Sequence, residues 1–222
     1  MNISVNIEQN TFHLYNNEIS YIMTVLPNRQ MGQLYFGRRV HDREDYSYLL
    51  EMRSRPMSSC VFDTDKSFSM EHIRQEYAVF GTTDYRMPAM EILQKNGSRI
   101  SEFLFHDYRI ENGKPKLPGL PATYTEDENE AQTLIIGLED PLTQIRLELF
   151  YTIFEKGGVI ARSARFINDG VEDVHLTTAM SLCMDLPDSD YDWIQFSGAA
   201  SSGSSSRIFP ASSLASCRIF AS

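Results

Sequence analysis

The stretch Gln144-Ile-Arg-Leu-Glu-Leu-Phe-Tyr-Thr-Ile-Phe154 decides the fold class. Its apolar residues Ile145, Leu147, Leu149, Tyr151 and Ile153 stand at every second position. They share one face only if the chain is extended, because successive side chains of a strand point to opposite sides; a helix would scatter them around its girth. Glu155-Lys-Gly-Gly158 turns the chain, residues 159–167 run back, Asn168-Asp-Gly170 turns it again and residues 174–182 follow. Three long segments joined by tight turns predict an antiparallel meander.

Working outward, the N-terminal quarter reads the same way. Ile3-Ser-Val-Asn-Ile7 alternates, and Thr11-Phe-His-Leu-Tyr15 suits a pleated surface. Asn16-Asn17 separates it from Ser20-Tyr-Ile-Met-Thr-Val25 as a hairpin, and Gln33-Leu-Tyr-Phe-Gly37 is a fourth strand. Residues 41–68 lose the periodicity and read as an extended loop with at most a helical turn, either functional or packed on a neighbouring surface. Met90-Glu-Ile-Leu followed by Lys95-Asn-Gly-Ser98 signals a second hairpin, returning over residues 99–110. Residues 113–121 hold too much Pro and Gly for regular structure. No βα alternation is present, so the expectation is an all-β sandwich.

The composition limits the chemistry. A net charge of −10 argues against nucleic acid, because binding phosphates needs clustered Lys and Arg. No apolar run approaches the length of a membrane span, and the first residues lack the pattern of a secretory leader. Cys60, Cys183 and Cys217 are widely spaced and odd in number, as expected of reduced thiols in a cytoplasm. The five histidines show no metal-binding spacing, and no metal or cofactor is expected. His41-Asp42 and His106-Asp107 are adjacent pairs, which a regular strand would aim to opposite faces. Asp188-Ser-Asp-Tyr-Asp192 starts like a calcium loop but has Trp193 and Ala199 where that loop needs Gly and Glu.

After Gly198 the chain changes character. Residues 199–222 are rich in Ser and Ala, hold no Asp or Glu, and repeat Arg-Ile-Phe at Arg207 and Arg218. Either this is a low-complexity tail or it is out-of-frame translation; both readings predict disorder, and the abrupt change favours the second.

Five segments then resemble, in order and spacing, the N-terminal domain of bacterial α-galactosidases of glycoside hydrolase family 36. They are Gln75-Glu-Tyr77, Gly81-Thr-Thr-Asp-Tyr-Arg-Met-Pro88, Gly113-Lys-Pro-Lys-Leu-Pro-Gly-Leu-Pro-Ala-Thr-Tyr124, Arg162-Ser-Ala-Arg-Phe-Ile-Asn168 and Asp190-Tyr-Asp-Trp-Ile-Gln-Phe-Ser-Gly-Ala199. The resemblance implies a β-supersandwich of the galactose-mutarotase-like type over residues 1–199, with an aberrant tail over 200–222. It implies a parent reaction that hydrolyses terminal α-galactosyl groups of sugars such as melibiose and raffinose. In the family both catalytic aspartates belong to a (β/α)8 barrel, absent here, so the chain is expected to be a truncated, inactive domain.

The family's domain contacts the barrel and other subunits and lends a few substrate-facing residues. A family Trp falls at Ala200, and a family Asp that precedes an Arg falls at Met52, before Arg53; Glu51 is the nearest acid. Glu51 and Arg53 are therefore the candidate substrate-binding residues, and no catalytic residue is assigned. The alternative is a free-standing carbohydrate-binding or assembly module. A mutarotase-like enzyme with its own His and carboxylate is a third reading, for which the sequence identifies no pair.

Overall fold

The computed structural model describes residues 2–53, 68–81, 84, 86–118 and 123–186, and the backbone strands at 192–197, 205–210 and 218–221. In chain order the strands are β1 Asn2–Asn6, β2 Thr11–Tyr15, β3 Ile19–Val25, β4 Met31–Arg38, β5 Met90–Leu93, β6 Leu104–Asn112, β7 Ala131–Glu139, β8 Ile145–Phe154, β9 Ile160–Asn168, β10 His175–Ala179, β11 Leu182–Asp185, β12 Asp192–Ser197, β13 Ser205–Pro210 and β14 Arg218–Ala221. Among the described residues helical structure is limited to 3-10 turns at Ser47–Leu49 and Glu128–Glu130.

Two four-stranded antiparallel meanders, β1-β2-β3-β4 and β6-β7-β8-β9, carry the architecture. Phe12, Leu14, Tyr21 and Met23 of the first pack in one core with Leu134, Ile136, Leu138 and the alternating apolar residues of β8 from the second. All five residues of that β8 face are at most 2% exposed. Phe12 meets Phe105 and Tyr108 with ring centroids 5.9 and 5.3 Å apart. Each such side chain contributes about 1.5–3 kcal/mol on removal from water, so this interface dominates folding. The expected all-β sandwich is the fold observed.

Asn16 ties the sheets together at one end. Its side-chain oxygen accepts the N–H groups of Glu18 and Ile19, closing the β2–β3 turn. Its amide donates to the carbonyls of Phe154 and Gly157 in the β8–β9 turn at 2.9 and 2.8 Å.

The loop after β4 covers the outer face of the first sheet. Tyr46 packs on Ile22 and Leu34, and Leu50 reaches both this cluster and a second one formed by Leu26, Phe68, Met70 and Ile73. Over its described residues the loop therefore packs on its neighbour. The described residues 113–118 of the Pro-rich segment lie against the second sheet: the Gly113 carbonyl accepts the Thr133 hydroxyl at 2.8 Å, and Lys114, Pro115 and Leu117 line a crevice with Phe150 and Thr152.

Three sequence expectations change. Residues 175–179 do not continue the β8–β9 meander; they cross to pair with β5. The Lys95-Asn-Gly-Ser turn forms, with Gly97 at φ +84°, but the returning chain joins the second sheet as β6 and leaves β5 to β10. Turn chemistry is local, whereas the partner of a strand is set by which face must be buried. In β6 a register shift between Phe105 and Asp107 places His106 Nδ1 3.3 Å from the Asp107 carboxylate, so this adjacent pair does meet. A bulge inserts one residue and breaks the strict alternation.

Beyond residue 199, β13 pairs with β12 and β14 with β11. Each contains one Arg-Ile-Phe triplet, so the structure gives extended backbone to the two apolar points of a segment whose composition predicts disorder.

Candidate functional site

Three polar centres lie inside or against the sandwich. The first begins where residue 75 bridges to Gly32 and the Glu76 N–H donates to the Met31 carbonyl, carrying the Glu76 side chain between the sheets. There Tyr21 donates to both carboxylate oxygens at 2.9 and 2.8 Å, and Tyr151 donates to one at 2.9 Å. Arg162 Nη2 lies 2.6 Å from the same carboxylate, with its guanidinium 4.6 Å above the Tyr151 ring. Glu76 is fully buried and the Arg162 side chain is 7% exposed.

Burial pushes the Glu76 carboxyl up, opposed by Arg162 and the two phenols. Burial also works against the Arg162 charge, but Glu76 outweighs it and raises that pKa above its ordinary value. Burial, reinforced by Glu76, raises both tyrosines. A carboxylate this enclosed and saturated with donors clamps four segments together; it is not placed to exchange a proton with a substrate.

The second centre surrounds Arg86. Its guanidinium donates to Asp84 at 2.9 and 3.1 Å, to Asp185 at 3.3 Å, and to the carbonyls of Ile73 and Met70 at 2.7 and 3.3 Å. Gln75 donates to the same Asp84. Arg86 thus ties the 70–76 segment to β11.

The third centre joins His13, Ser20, Asp42 and Tyr46. His13 Nδ1 is 2.9 Å from Asp42, and Nε2 is 2.9 Å from the Ser20 hydroxyl. The order of groups is that of a nucleophilic triad. The Ser20 oxygen, however, accepts the Val40 N–H at 3.0 Å and is wholly buried, so no substrate can reach it. The Tyr46 hydroxyl contacts His13 and Asp42 at 3.0 and 3.2 Å and accepts the Arg43 N–H at 2.8 Å. Burial lowers the His13 pKa, Asp42 opposing. Burial works against the Asp42 charge, but bonds from His13, Ser4 and Tyr46 prevail and hold its pKa below the ordinary value. Burial raises Tyr46 to about 12. Asp42 therefore orients His13 of a distant strand, not its neighbour His41.

The sequence-predicted residues lie outside these centres. Glu51 and Arg53 pair with each other at 2.5 Å on the surface, their side chains 51% and 64% exposed, with Met52 between them at 45%. Both stay open to a ligand or a second surface. Ala200 and the Asp188 to Tyr191 stretch lie outside the described residues, as does the Trp193 side chain. Beside Leu50 an open cleft of about 490 Å³ is lined by Asn10, Arg29, Ser47 and Phe105. Among the described residues no group of three His, Cys, Asp or Glu side chains could hold a metal.

The buried centres escaped reading as sites because their members are far apart in sequence. A signal was present: Gln75, Glu76, Asp84, Arg86 and Arg162 all lie in the resemblance segments quoted above.

The glycosyl hydrolase family 36 N-terminal domain model matches residues 29–201. The chain belongs to this family. Alpha-galactosidase AgaA of Geobacillus stearothermophilus is 39% identical over 199 residues, which are 90% of this chain and 27% of that protein. Alpha-galactosidase Mel36A of Lactobacillus acidophilus is 33% identical over 86% of this chain and 26% of its own length. The crystal structure of the α-galactosidase from Lactobacillus brevis superposes with a TM-score of 0.88 at 37% identity, covering 94% of this chain and 28% of the other. An AgaA variant solved with raffinose gives a TM-score of 0.83 at 38% identity, over 90% of this chain and 28% of the other, and another AgaA variant has been solved with stachyose. This family 36 chain thus spans about a quarter of the relatives it matches.

Proposed function

We propose that this chain is the non-catalytic N-terminal domain of an α-galactosidase, without hydrolase activity on its own. The observation that carries the reading is the contrast in coverage: nine-tenths of this chain aligns with AgaA, yet only 27% of AgaA is matched. The domain extends over residues 1–199, and residues 200–222 are an appendage to it. The parent reaction is the removal of terminal α-galactosyl groups from sugars such as raffinose and melibiose. In that setting the domain's partners are the family's barrel and other subunits, and the exposed Glu51–Arg53 pair contributes to a sugar site completed by a neighbouring surface. Cys60, Cys183 and Cys217 are odd in number and widely spaced, which suits a reducing compartment, and we assign the chain to the cytoplasm.

Calorimetric titration with raffinose and galactose tests the incomplete sugar site. Absence of saturable heat agrees with a domain that needs its partners. Saturable binding lost in Glu51→Gln or Arg53→Ala would move the free-standing carbohydrate-binding module to the front, for which the open cleft beside Leu50 offers a place.

A further inference from the structure

The chain contains two described Asn-Gly steps, Asn96-Gly97 and Asn112-Gly113, of the same chemistry and opposite surroundings. Asn96 and Gly97 are exposed at the tip of the turn after β5, and nothing lies within 4 Å of the position a Gly97 side chain would take. The Asn96 side-chain oxygen accepts the Ser98 N–H at 2.9 Å, folding the amide back across the Gly97 peptide. This closed ring holds Cγ of Asn96 against the Gly97 nitrogen, and the donated hydrogen bond polarises the carbonyl toward attack. The Gly97 N–H itself is held by one bond, to the Gln94 carbonyl at 2.9 Å. The turn is closed by Gln94 N–H to the Ser98 carbonyl at 2.9 Å and the Gln94 amide to the Ile100 carbonyl at 2.7 Å, but β5 and β6 do not pair beyond it.

Asn112 is held at the end of β6, paired with Gln132 of β7. Gly113 is buried; its N–H donates to Ala131 at 2.8 Å and its carbonyl accepts the Thr133 hydroxyl at 2.8 Å. The Asn112 side-chain oxygen accepts the Gln132 amide at 3.4 Å, and releasing Gly113 means opening the edge of the second sheet.

We propose that Asn96 is a site of spontaneous deamidation in the folded protein and that Asn112 is protected. The Gly97 nitrogen gives its proton to solvent hydroxide and bonds to Cγ of Asn96. The Cγ–Nδ2 bond breaks, ammonia leaves with a proton from water, and a five-membered imide remains. Water opens the ring to aspartate or isoaspartate, so the net change is one water consumed and one ammonia released. The product places a carboxylate beside Lys95, where it competes with Glu172 for an ammonium now bonded at 2.8 Å. It also adds negative charge at the end of the sandwich where Leu142 and Val171 stand exposed.

The full chain is held in mildly alkaline buffer, native or unfolded in urea, and the acidic products are located by peptide mapping, with Asn96→Gln as the blocked control. Native protein is expected to convert at residue 96 about tenfold or more faster than at residue 112, and the two sites to converge once unfolded. Comparable native rates, faster conversion at 112, or conversion at neither site while the unfolded chain reacts at both would each overturn the proposal.

Discussion

The Glu76 carboxylate and the Arg162 guanidinium meet 2.6 Å apart between the two sheets, bringing the segment beside β4 against β9. Tyr21 and Tyr151 supply the remaining donors, so the charge of Glu76 is compensated by groups from three strands. Removing one partner leaves the other charge buried and alone. Glu76→Gln or Arg162→Met is expected to cost about 3–5 kcal/mol, and the double substitution less than the sum of the two. Urea unfolding of the three variants measures this; additive losses would show that the pair is not coupled.

Acid should loosen the His13 centre. His13 titrates below its ordinary 6.5 in the fold, so the unfolded chain binds that proton first. Stability is therefore complete above the unfolded value and falls as the pH drops below about 6.5, by at most about 1.4 kcal/mol per unit, until the folded value is reached. Asp42, held below 3.8, keeps its contribution above that value and loses it as the pH falls through its folded pKa. Unfolding midpoints across this range should slope downward with acid, and His13→Gln should flatten the slope between neutrality and mild acid. An unchanged slope would exclude His13 as its source.

Tyr46→Phe tests what holds the long loop down. The substitution keeps the ring on Ile22 and Leu34 but leaves the Arg43 N–H without its acceptor and takes a contact from His13 and Asp42. A loss of about 1–3 kcal/mol is expected. Faster proteolysis near residues 41–50 would locate the effect.

How far this was legible in advance varies with the range of the interaction. Ile145, Leu147, Leu149, Tyr151 and Ile153 announce β8 because period-two burial is a local property, and the Asn16 turn announces itself equally well. The crossing of residues 175–179 to β5 was hidden, since a strand's own residues do not name its partner. Asp42 reads as the neighbour of His41 yet serves His13, and Glu76 carries no mark of its partner on β9. Of the predicted site, Glu51 and Arg53 were placed by resemblance alone, and the described residues show them as an exposed ion pair.

Residues 202–222 lie beyond the family match, yet contain β13 and β14. As an appendage, their removal should shift unfolding by no more than about 0.5 kcal/mol. A loss of several kcal/mol would make the two Arg-Ile-Phe strands working parts of the sandwich.

The most direct measurement is turnover of an α-galactoside such as raffinose by the purified chain, with released galactose followed against a buffer blank. The proposed role predicts release no faster than the blank. Robust release that disappears on substituting a carboxylate of this chain, Glu51→Gln first among them, would contradict it and establish a catalytic site within these 222 residues.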